Sequence, residues 1–441
     1  MEALASFFKF HERGTTFGTE VRAGITTFMV MVYIVAVNPL ILSAAGIDAA
    51  AAAAATALVA AVMTILMGIV ANVPLALAAG LGINGIVAFG LILGAGLTPA
   101  GAMGVIVLEG LAITVLVLAG LREAVMDAVP MALKRAIAVG IGLFILFIGF
   151  VDGGLIVGQE GPVPVAFVFP NSPAAWVTLS GLAITIILYA RKVPAALIIS
   201  IVLTSVVAYL LGVSTLPDSF SATPNFSTLG QFDFSVFDSL PLAVALLTIF
   251  TIMLADFFDT MGTATAITEQ AGLMTEDGKV PQIRRLLLVD SLAAVAGGAA
   301  GISSNTSYIE SAAGVSEGGR TGFSSIVVGL LFAVMILFSP LVALVPLPAT
   351  AAVLILVGFF MVSTLVKDID FTNFEDGFPA LLAMILMPLT FNITVGIGAA
   401  FIVWVFIKVI LGKFREVHWL MWIVSLAFLI YFLQEVVKAY I

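Results

Sequence analysis

The sequence predicts an all-α integral membrane protein, and three observations support this class. Hydrophobic residues make up 62% of the 441 positions, whereas charged residues make up only 10%. Apolar runs close to the roughly 20 residues that span about 30 Å of hydrocarbon recur along the whole chain. The lysines and arginines between those runs alternate in a regular way. A soluble core of this length does not need so much apolar surface, so a soluble protein is excluded.

Fourteen apolar segments are predicted to cross the bilayer and are numbered as spans one to fourteen. A further apolar stretch, 419–432, is expected either to lie at the membrane interface, anchored by Trp419 and Trp422, or to form part of an extra hairpin. The approximate bounds of the fourteen spans are 21–44, 50–70, 74–93, 101–121, 131–151, 173–190, 194–211, 242–267, 286–300, 304–315, 322–338, 347–366, 377–393 and 395–411.

The basic residues of the predicted loops lie on one side of the membrane only. They precede span one or follow an even-numbered span, and the loops after odd-numbered spans contain none. The positive-inside rule therefore predicts a cytoplasmic N-terminus and supports the count of fourteen. We expect a multi-pass protein of the plasma membrane. The residues concerned are Lys9, Arg13, Arg22, Arg122, Lys134, Arg135, Arg191, Lys192, Lys279, Arg284, Arg285, Arg320, Lys367, Lys413 and Arg415.

A polar stretch at 214–239 divides the chain near its middle, with seven predicted spans on each side. Because seven is odd, the second half must insert upside down relative to the first. This is the arrangement of transporters built from inverted repeats, which bind substrate near the bilayer midplane at corresponding interrupted segments. The sequence therefore predicts two inverted repeats of seven spans.

Four acidic residues fall inside three predicted spans: Asp256 and Asp259 in span eight, Asp290 in span nine and Glu310 in span ten. A charge at the bilayer centre costs about 2.5–3.5 kcal/mol on insertion scales, so such acids indicate a functional site. Asp256 and Asp259 stand three residues apart on one helical face, where both do not ionise readily in a low dielectric. One protonated and one charged carboxyl can together donate to and accept from a heterocycle.

Two acids leave structural interpretations open. Asp290 could instead cap a helix or pair with Arg284 or Arg285 near the cytoplasmic face. Glu109, in span four, has no evident partner, so a structural and a functional role are equally open. The chain has no cysteine and only two histidines, both outside the predicted spans. We therefore expect no disulfide, no metal, no cofactor and no nucleic-acid partner.

Two spans are poor candidates for continuous helices. Span three contains AAGLGING at 78–85. The segment GISSNTSY at 301–308 leads into span ten and forms its start. Glycine costs about 1 kcal/mol against alanine in a helix, and unwound backbone at this depth is tolerated only where it is buried in protein or lines a cavity. Helix is expected to resume beside Asn84 in one span and beside Glu310 and Ser311 in the other, with free N–H groups for a ligand. Close helix packing at the glycines, or a structural hydrogen bond from Asn84, is the alternative.

Five motifs resemble one transporter family over nearly the whole chain. They are TEVRAGITTF at 19–28, YIVAVNP at 33–39, DFFDTMGT at 256–263, TSYIESAAGV at 306–315 and GGRTG at 318–322. Together they are similar to the adenine/guanine/hypoxanthine permease branch of the nucleobase–cation symporters, a family like the nucleobase–ascorbate transporters. Joint matches of this length are far more specific than a lone short motif.

The resemblance implies the uracil-permease fold, with short strands in spans three and ten that flank a nucleobase. It also implies that acids on spans eight and ten hold the base, without deciding which span-eight aspartate is the main ligand. Asp290 resembles a span-nine acid that is associated with function rather than with direct contact. Carried over by position, the substrate-binding residues are Asn84, Asp256, Asp259, Glu310 and Ser311, with backbone contacts at Gly80, Gly82, Ile83 and Tyr308.

The same resemblance divides the chain into core and gate domains, and a homodimer through the gate domain is a further expectation. The units are a first-repeat core at 1–121, a first-repeat gate at 122–213 and an extracellular linker at 214–241. A second-repeat core at 242–340, a second-repeat gate at 341–412 and the C-terminal interfacial or extra apolar helix at 413–441 follow.

The resemblance implies import of adenine, guanine or hypoxanthine. Relatives usually have Ala-Pro-Gly-Met-Gly-Leu-Asn-Ala in span three, whereas this chain has Ala79, Leu81 and Gly85 at three of those positions, which leaves the preferred purine open. A transporter of xanthine, urate or pyrimidines with the same fold is the main alternative. A same-fold anion transporter would want a cation at the site, and the predicted pocket contains acids but no Lys or Arg. An intramembrane aspartyl protease would need aspartates on separate helices, so we expect no enzyme.

Accumulation of a base against its gradient needs a co-transported ion. The predicted carboxyls are the titratable groups within reach, so we expect proton symport with Asp259 or Asp256 as carrier, Asp290 modulating the relay and Glu310 taking part. Sodium is the alternative ion, since two carboxylates with unwound backbone carbonyls also suit a hard cation.

Overall fold

The computed structural model describes residues 2–120, 129–159, 165–215, 222–275 and 280–440. Arg122 and Lys279, two of the basic residues used for topology, lie outside the described residues, as does the predicted boundary between 121 and 122. Part of the predicted linker 214–241 lies outside them as well.

Most of the described chain is helical, which agrees with the predicted class. The helices in chain order are α1 Glu2–Phe7, α2 Phe17–Met31, α3 Ile34–Ser43, α4 Ala49–Val70, α5 Leu81–Gly85, α6 Pro99–Ala119, α7 Met131–Asp152, α8 Pro173–Ala190, α9 Ala196–Leu210, α10 Val236–Ser239, α11 Leu242–Gln270, α12 Ile283–Ala299, α13 Ser311–Ser316, α14 Gly322–Met335, α15 Leu347–Leu365, α16 Phe374–Thr390, α17 Ile393–Ile410 and α18 Trp419–Tyr440. A π-helical segment at Ile86–Gly94 continues α5, and 3₁₀ turns lie at Ile336–Leu344, Val366–Asp368 and Phe414–Glu416.

Within the described residues, eight helical stretches are long and apolar enough to cross a membrane. Shorter apolar helices accompany them, among them Leu81–Gly94 and Ala196–Leu210. Several of the long helices begin at side-chain caps, which satisfy backbone N–H groups that have no partner in the first turn. Asp48, Thr98, Ser172 and Asn392 each accept a bond of 2.7–3.3 Å from the backbone N–H three residues on.

Four short strands accompany the helices. Strands β1 (Leu77–Ala79) and β4 (Asn305–Ser307) pair antiparallel with Ala78 opposite Thr306, so the strands expected in spans three and ten are confirmed. Strands β2 (Ile156–Gly158) and β3 (Val165–Phe167) form a hairpin between α7 and α8 that the sequence did not predict.

The unwound backbone at the β1–β4 pair is satisfied by neighbouring elements. The Gly80 N–H donates to the Ser304 carbonyl at 2.8 Å, just beyond the paired strands. The Thr64 hydroxyl on α4 donates to the Leu77 carbonyl and accepts from the Leu77 N–H, both at 2.9 Å. The Ser311 hydroxyl accepts from the Ala76 N–H at 3.0 Å. These bonds replace the backbone bonds of a continuous helix. Inside a bilayer, the N–H and C=O groups of non-helical backbone must find other partners in this way.

The first predicted span is also broken, which the sequence did not predict. It forms two helices, α2 and α3, separated at Val32–Tyr33, and Pro39 lies inside α3. The buried Asn38 amide donates to the Thr56 hydroxyl at 2.8 Å and to the Ile302 carbonyl at 3.2 Å. This polar contact joins the broken first span to the loop that precedes β4.

Glycine pairs allow the long helices to approach closely. Helix α4 packs on α14 where Gly68 and Gly322 meet, and a Cβ on either glycine would overlap the backbone of the other. Helix α7 packs on α15 in the same way, through Gly142 and Gly358. These four glycines lie outside the broken spans three and ten.

The C-terminal stretch 413–441 contains the helix α18, which packs on α17. The Phe401 and Phe428 rings meet edge to face with centroids 6.1 Å apart, and the Ser425 hydroxyl donates to the Phe401 carbonyl at 3.2 Å. Near the middle of the chain, the backbone N–H of Gly230 donates to the Ala299 carbonyl at 2.7 Å and that of Asp233 to the Ala100 carbonyl at 3.1 Å. This part of the predicted linker therefore lies on α6 and α12.

Candidate functional site

A cavity of about 400 Å³ lies beside the β1–β4 pair. This volume falls within the range of small-molecule pockets in proteins. Five parts of the chain form its walls: the β1–α5 junction, the segment from β4 to Glu310, the C-terminal half of α11, the start of α7 and the second half of α15. The lining residues are Gly80, Leu81, Gly82, Met131, Lys134, Arg135, Ala138, Phe258, Asp259, Met261, Gly262, Thr263, Thr265, Ala266, Glu269, Thr306, Ser307, Tyr308, Ile309, Glu310, Val357, Phe360 and Met361.

One face of α11 forms a long wall of this cavity. Asp259, Gly262, Ala266 and Glu269 all line it, at spacings of three and four residues that place them on one helical face. Asp256 does not line it and is only 1% exposed. Two positions three apart differ by about 60° around a helix, and here Asp259 lines the cavity whereas Asp256 does not.

Glu310 also lines the cavity and accepts a hydrogen bond from a tyrosine of the broken first span. The Tyr33 hydroxyl donates to Glu310 Oε1 at 2.7 Å. Glu310 immediately precedes α13, so its position depends on the break after β4. Tyr308, also in the lining, donates from its hydroxyl to the Ala79 carbonyl of β1. The two broken segments are thus tied together at the cavity by side chains as well as by strand pairing.

Asp256 lies behind the strand pair. Its Oδ2 accepts a bond of 2.8 Å from the Ser304 hydroxyl, and its Oδ1 has no hydrogen-bond partner. Ser304 is the residue whose carbonyl accepts from Gly80, which lines the cavity. Asp256 is therefore separated from the cavity by one layer of backbone.

Asp290 is satisfied by hydroxyl groups rather than by arginine. Thr260 donates to its Oδ2 at 2.6 Å and Ser307 to its Oδ1 at 2.7 Å. Arg284 donates to a backbone carbonyl of α6 and Arg285 to the side chain of a neighbouring glutamine, so pairing of Asp290 with either arginine is wrong. Because Ser307 belongs to β4 and lines the cavity, Asp290 supports the site from behind.

The remaining predicted residues differ in where they lie. Gly80, Gly82 and Tyr308 line the cavity, whereas Asn84, Ile83 and Ser311 do not. Helix α5 begins at Leu81, three residues before Asn84, because Gly80 takes the capping position. Asn84 is fully buried and neither its Nδ2 nor its Oδ1 has a hydrogen-bond partner. Such an unpaired buried amide is rare in folded proteins.

Two basic residues line the cavity, which corrects the expectation of a pocket without Lys or Arg. Lys134 and Arg135 reach it from the first turns of α7. The Lys134 Nζ lies 5.2 Å from the centroid of the Phe258 ring. Phe258 immediately precedes Asp259 in the sequence. Both residues count among the basic residues of the predicted loops, although they fall within the first turns of span five, 131–151. Among the described residues, no group of three or more His, Cys, Asp or Glu side chains could hold a metal ion.

Sequence reasoning missed several polar residues around the acids. Tyr33, Thr260, Ser304, Thr306 and Ser307 all donate or accept bonds within the network described above. Each of them except Ser304 stands inside one of the family motifs, and Ser304 stands in the glycine- and serine-rich break. The signal was present, but a hydroxyl near an acid in sequence does not reveal which acid it will meet in space.

Comparison with known proteins assigns the family. A sequence profile described as the permease family matches residues 18–399. The chain belongs to this permease family. The permease is therefore a membrane transport protein and not an enzyme.

Curated relatives resemble the permease over almost its full length. The adenine permease AdeP of Escherichia coli is 39% identical over 428 residues, covering 97% of this chain and 95% of that protein. The guanine/hypoxanthine permease PbuG of Bacillus subtilis is 38% identical over 441 residues, covering 98% of this chain and 99% of that protein.

A solved structure shares the fold of the permease. The transmembrane domain of a cyanobacterium bicarbonate transporter, BicA, matches with a TM-score of 0.64 and 16% sequence identity, covering 87% of this chain and 97% of that one. At this identity the likeness concerns the fold alone.

Proposed function

We propose that the protein imports purine nucleobases, namely adenine, guanine or hypoxanthine, by proton symport with alternating access. The observation that supports this most is the cavity itself, which is lined by Asp259 of α11 and by Glu310 of the segment after β4, beside the paired broken segments. Two carboxyl groups and nearby backbone groups offer acceptors and donors at the edges of a flat base. The substrate-binding role assigned to Asn84, Asp256, Asp259, Glu310 and Ser311 belongs to this proposal.

The shape and chemistry of the cavity suit a planar heterocycle. Phe258, Tyr308 and Phe360 supply aromatic surface, while Asp259 and Glu310 supply the polar ends. Carboxylates are strong acceptors for ring and exocyclic N–H groups, and pockets of this kind fix orientation with few polar contacts on an otherwise apolar wall. Because Tyr33 already donates to Oε1 of Glu310, Oε2 is the atom offered to the base.

Purine selectivity is supported by the relatives, since one of them is an adenine permease and another a guanine/hypoxanthine permease. Xanthine, urate or a pyrimidine is the alternative substrate. An anionic substrate would need a cation at the site, and Lys134 and Arg135 supply one. However, Asp259 and Glu310 line the same cavity and repel a negatively charged substrate.

The proposed membrane arrangement has fourteen spans in two inverted repeats, with the core and gate units given above and a cytoplasmic N-terminus. The cavity is lined by the start of α7, the end of α11 and the second half of α15. These three helix ends adjoin loops that carry basic residues, which the positive-inside rule assigns to the cytoplasm. The cavity therefore opens inward in this arrangement, in the plasma membrane. A homodimer through the gate domain belongs to the same proposal.

A second cavity, of about 670 Å³, supports alternating access. It is lined by the end of the π-helical segment, the start of α11 and the junction of α16 with α17. Each of these adjoins a loop without basic residues, on the proposed outer side. Phe391, at that junction, meets Phe89, Phe144 and Phe147 edge to face with centroids 5.2–5.8 Å apart. This aromatic cluster would close the outer route while the inner cavity is open.

Proton coupling involves the four acids named above, with Asp259 or Asp256 as carrier, Asp290 as modulator and Glu310 taking part. Sodium is the alternative coupling ion. The test is uptake of radiolabelled adenine, guanine and hypoxanthine by vesicles under an imposed pH gradient without sodium, with unlabelled xanthine, urate and uracil as competitors.

We expect concentrative purine uptake that a proton ionophore abolishes. Uptake that ignores the pH gradient and requires a sodium gradient would overturn the proton assignment. Uptake that responds to neither gradient would overturn symport, and competition by uracil or xanthine but not by adenine, guanine or hypoxanthine would overturn the substrate assignment.

A further inference from the structure

Glu109 is a buried acid that the proposed transport mechanism does not use. It lies on α6, is 0% exposed, and neither carboxyl oxygen has a hydrogen-bond partner. The helix comes close to α12 at this point, because Gly110 contacts Ala294 and Val295 there. A carboxylate left without a partner at such depth carries a large desolvation penalty. A neighbouring group or a bound proton must therefore neutralise the charge of Glu109.

One of the side chains that face Glu109 is another acid. Glu109 lies against Asp256 of α11 and against Ser304. Ser304 donates to Oδ2 of Asp256, while Oδ1 of Asp256 has no hydrogen-bond partner. The atoms without partners on Glu109 and on Asp256 are thus all carboxyl oxygens. An ionised carboxyl oxygen can only accept a hydrogen bond, so two ionised carboxylates cannot bond to each other. One proton between them turns this contact into a hydrogen bond and removes one of the two negative charges.

In the described part of the chain, no basic side chain neutralises Glu109. The charged groups acting on Glu109 are Asp256 of α11 and Asp290 of α12. Asp290 is occupied by the hydroxyl groups of Thr260 and Ser307, and Asp259 faces the cavity on the other side of α11. The π-helical segment packed on α6 contains no titratable side chain, and Asp238 on α10 is exposed.

We propose that Glu109 and Asp256 share one proton across the contact between α6 and α11, and that this pair holds the coupling proton of the transport cycle. The inference deepens the proposed function and rests on it. It moves the coupling proton from the cavity wall to a dry site behind the β1–β4 pair, out of direct contact with the substrate.

The pair is connected to the cavity through β4. Asp256 accepts from the Ser304 hydroxyl, and the Ser304 carbonyl accepts from the N–H of Gly80, which lines the cavity. Thr306, which also lines the cavity, lies near Asp256 from the same strand. Loss of the shared proton puts a second charge behind this strand, and the change reaches the backbone that borders the substrate. Binding and protonation are coupled through this backbone.

The test is the Glu109→Gln variant in proteoliposomes, compared with wild type in two assays. A glutamine amide can donate permanently to Asp256, so the variant resembles the protonated pair. We expect exchange of internal unlabelled for external labelled purine to continue in the variant. A gradient of one pH unit supports roughly tenfold accumulation for one proton per substrate, and we expect the variant's accumulation ratio to fall to about one.

Two further variants complete the test. Glu109→Asp keeps a titratable carboxyl and should retain proton-driven accumulation. Asp238→Asn, a change in an exposed acid, should behave as wild type. In weakly buffered detergent solution, purine binding should take up a proton in wild type and none in Glu109→Gln.

The outcomes separate the two proposals. A wild-type protein that neither exchanges nor accumulates purines would overturn the proposed function. Proton-driven accumulation that survives in Glu109→Gln, or purine binding to wild type without proton uptake, would overturn the shared-proton pair while leaving purine transport intact. Sodium-driven accumulation that is lost in Glu109→Gln would show that the pair binds sodium, and would also overturn it.

Discussion

The hydroxyl of Tyr33 donates a hydrogen bond of 2.7 Å to Glu310, which lies 277 residues later in the chain. The bond joins the break between α2 and α3 to the break between β4 and α13. Glu310 lines the cavity and has one of its two carboxyl oxygens occupied by this bond. In the proposed transport function, the other oxygen accepts from an N–H group of the substrate.

Replacing Glu310 by Gln should remove most purine uptake while the protein still reaches the membrane. The Gln oxygen would keep the bond from Tyr33 and turn its NH₂ group toward the cavity, where it opposes an N–H group of the base. A hydrogen bond to a charged group contributes about 1.5–3 kcal/mol, or roughly ten- to over a hundredfold in affinity. Radiolabelled uptake and binding measure the effect. Glu317→Gln, which changes an exposed acid paired with Arg22, is the control, and unchanged affinity in Glu310→Gln would remove Glu310 from the site.

Replacing Tyr33 by Phe should also lower the affinity for purines, but by less than Glu310→Gln does. The change removes one hydroxyl donor and leaves the ring, so the loss is about 1 kcal/mol, or roughly fivefold in affinity. A double-mutant cycle of Tyr33→Phe with Glu310→Gln measures the coupling between the two residues. Effects that simply add would mean that Tyr33 does not act through Glu310.

Replacing Asn84 by Leu should raise thermal stability and lower uptake. The Asn84 amide is buried without a hydrogen-bond partner, and an apolar residue of similar size avoids a desolvation penalty of about 1–3 kcal/mol. A residue kept at that disadvantage is expected to bind ligand in another state of the transport cycle, so Asn84→Ala should also change the ranking of adenine, guanine and hypoxanthine. Thermal melting and competition assays measure both effects. Unchanged uptake and ranking would leave Asn84 as a packing residue of α5.

Replacing Gly82 by Ala should slow transport by disfavouring the conformation described above. A Cβ at this position would overlap the Ile141 side chain where α5 meets α7. Overpacking of this kind costs about 1–3 kcal/mol. The double variant Gly82→Ala with Ile141→Ala should restore the rate, because it removes the atoms in conflict. Gly18→Ala serves as the control, since nothing lies within 4 Å of a Cβ there. A Gly82→Ala variant with wild-type uptake would show that this contact does not limit transport.

The sequence by itself determined the membrane class, the broken segments at 78–85 and 301–308, and the acids of the site. Each of these rests on a local property. The length of an apolar run, the helix cost of glycine and the cost of a charge in hydrocarbon can all be evaluated from neighbouring residues alone. The family resemblance, rather than these local properties, predicted the short strands in spans three and ten, and the structure confirms them.

Only the tertiary structure decided which way each acid faces. Asp256 and Asp259 differ by about 60° around α11, and the helical period cannot tell which of two adjacent faces meets a cavity. The hydrogen-bond partners of the acids come from distant parts of the chain: Tyr33 for Glu310, and Ser304 for Asp256. The entry of Lys134 and Arg135 into the cavity likewise depends on how α7 packs against α11. Such contacts arise from packing between elements, which no local pattern encodes.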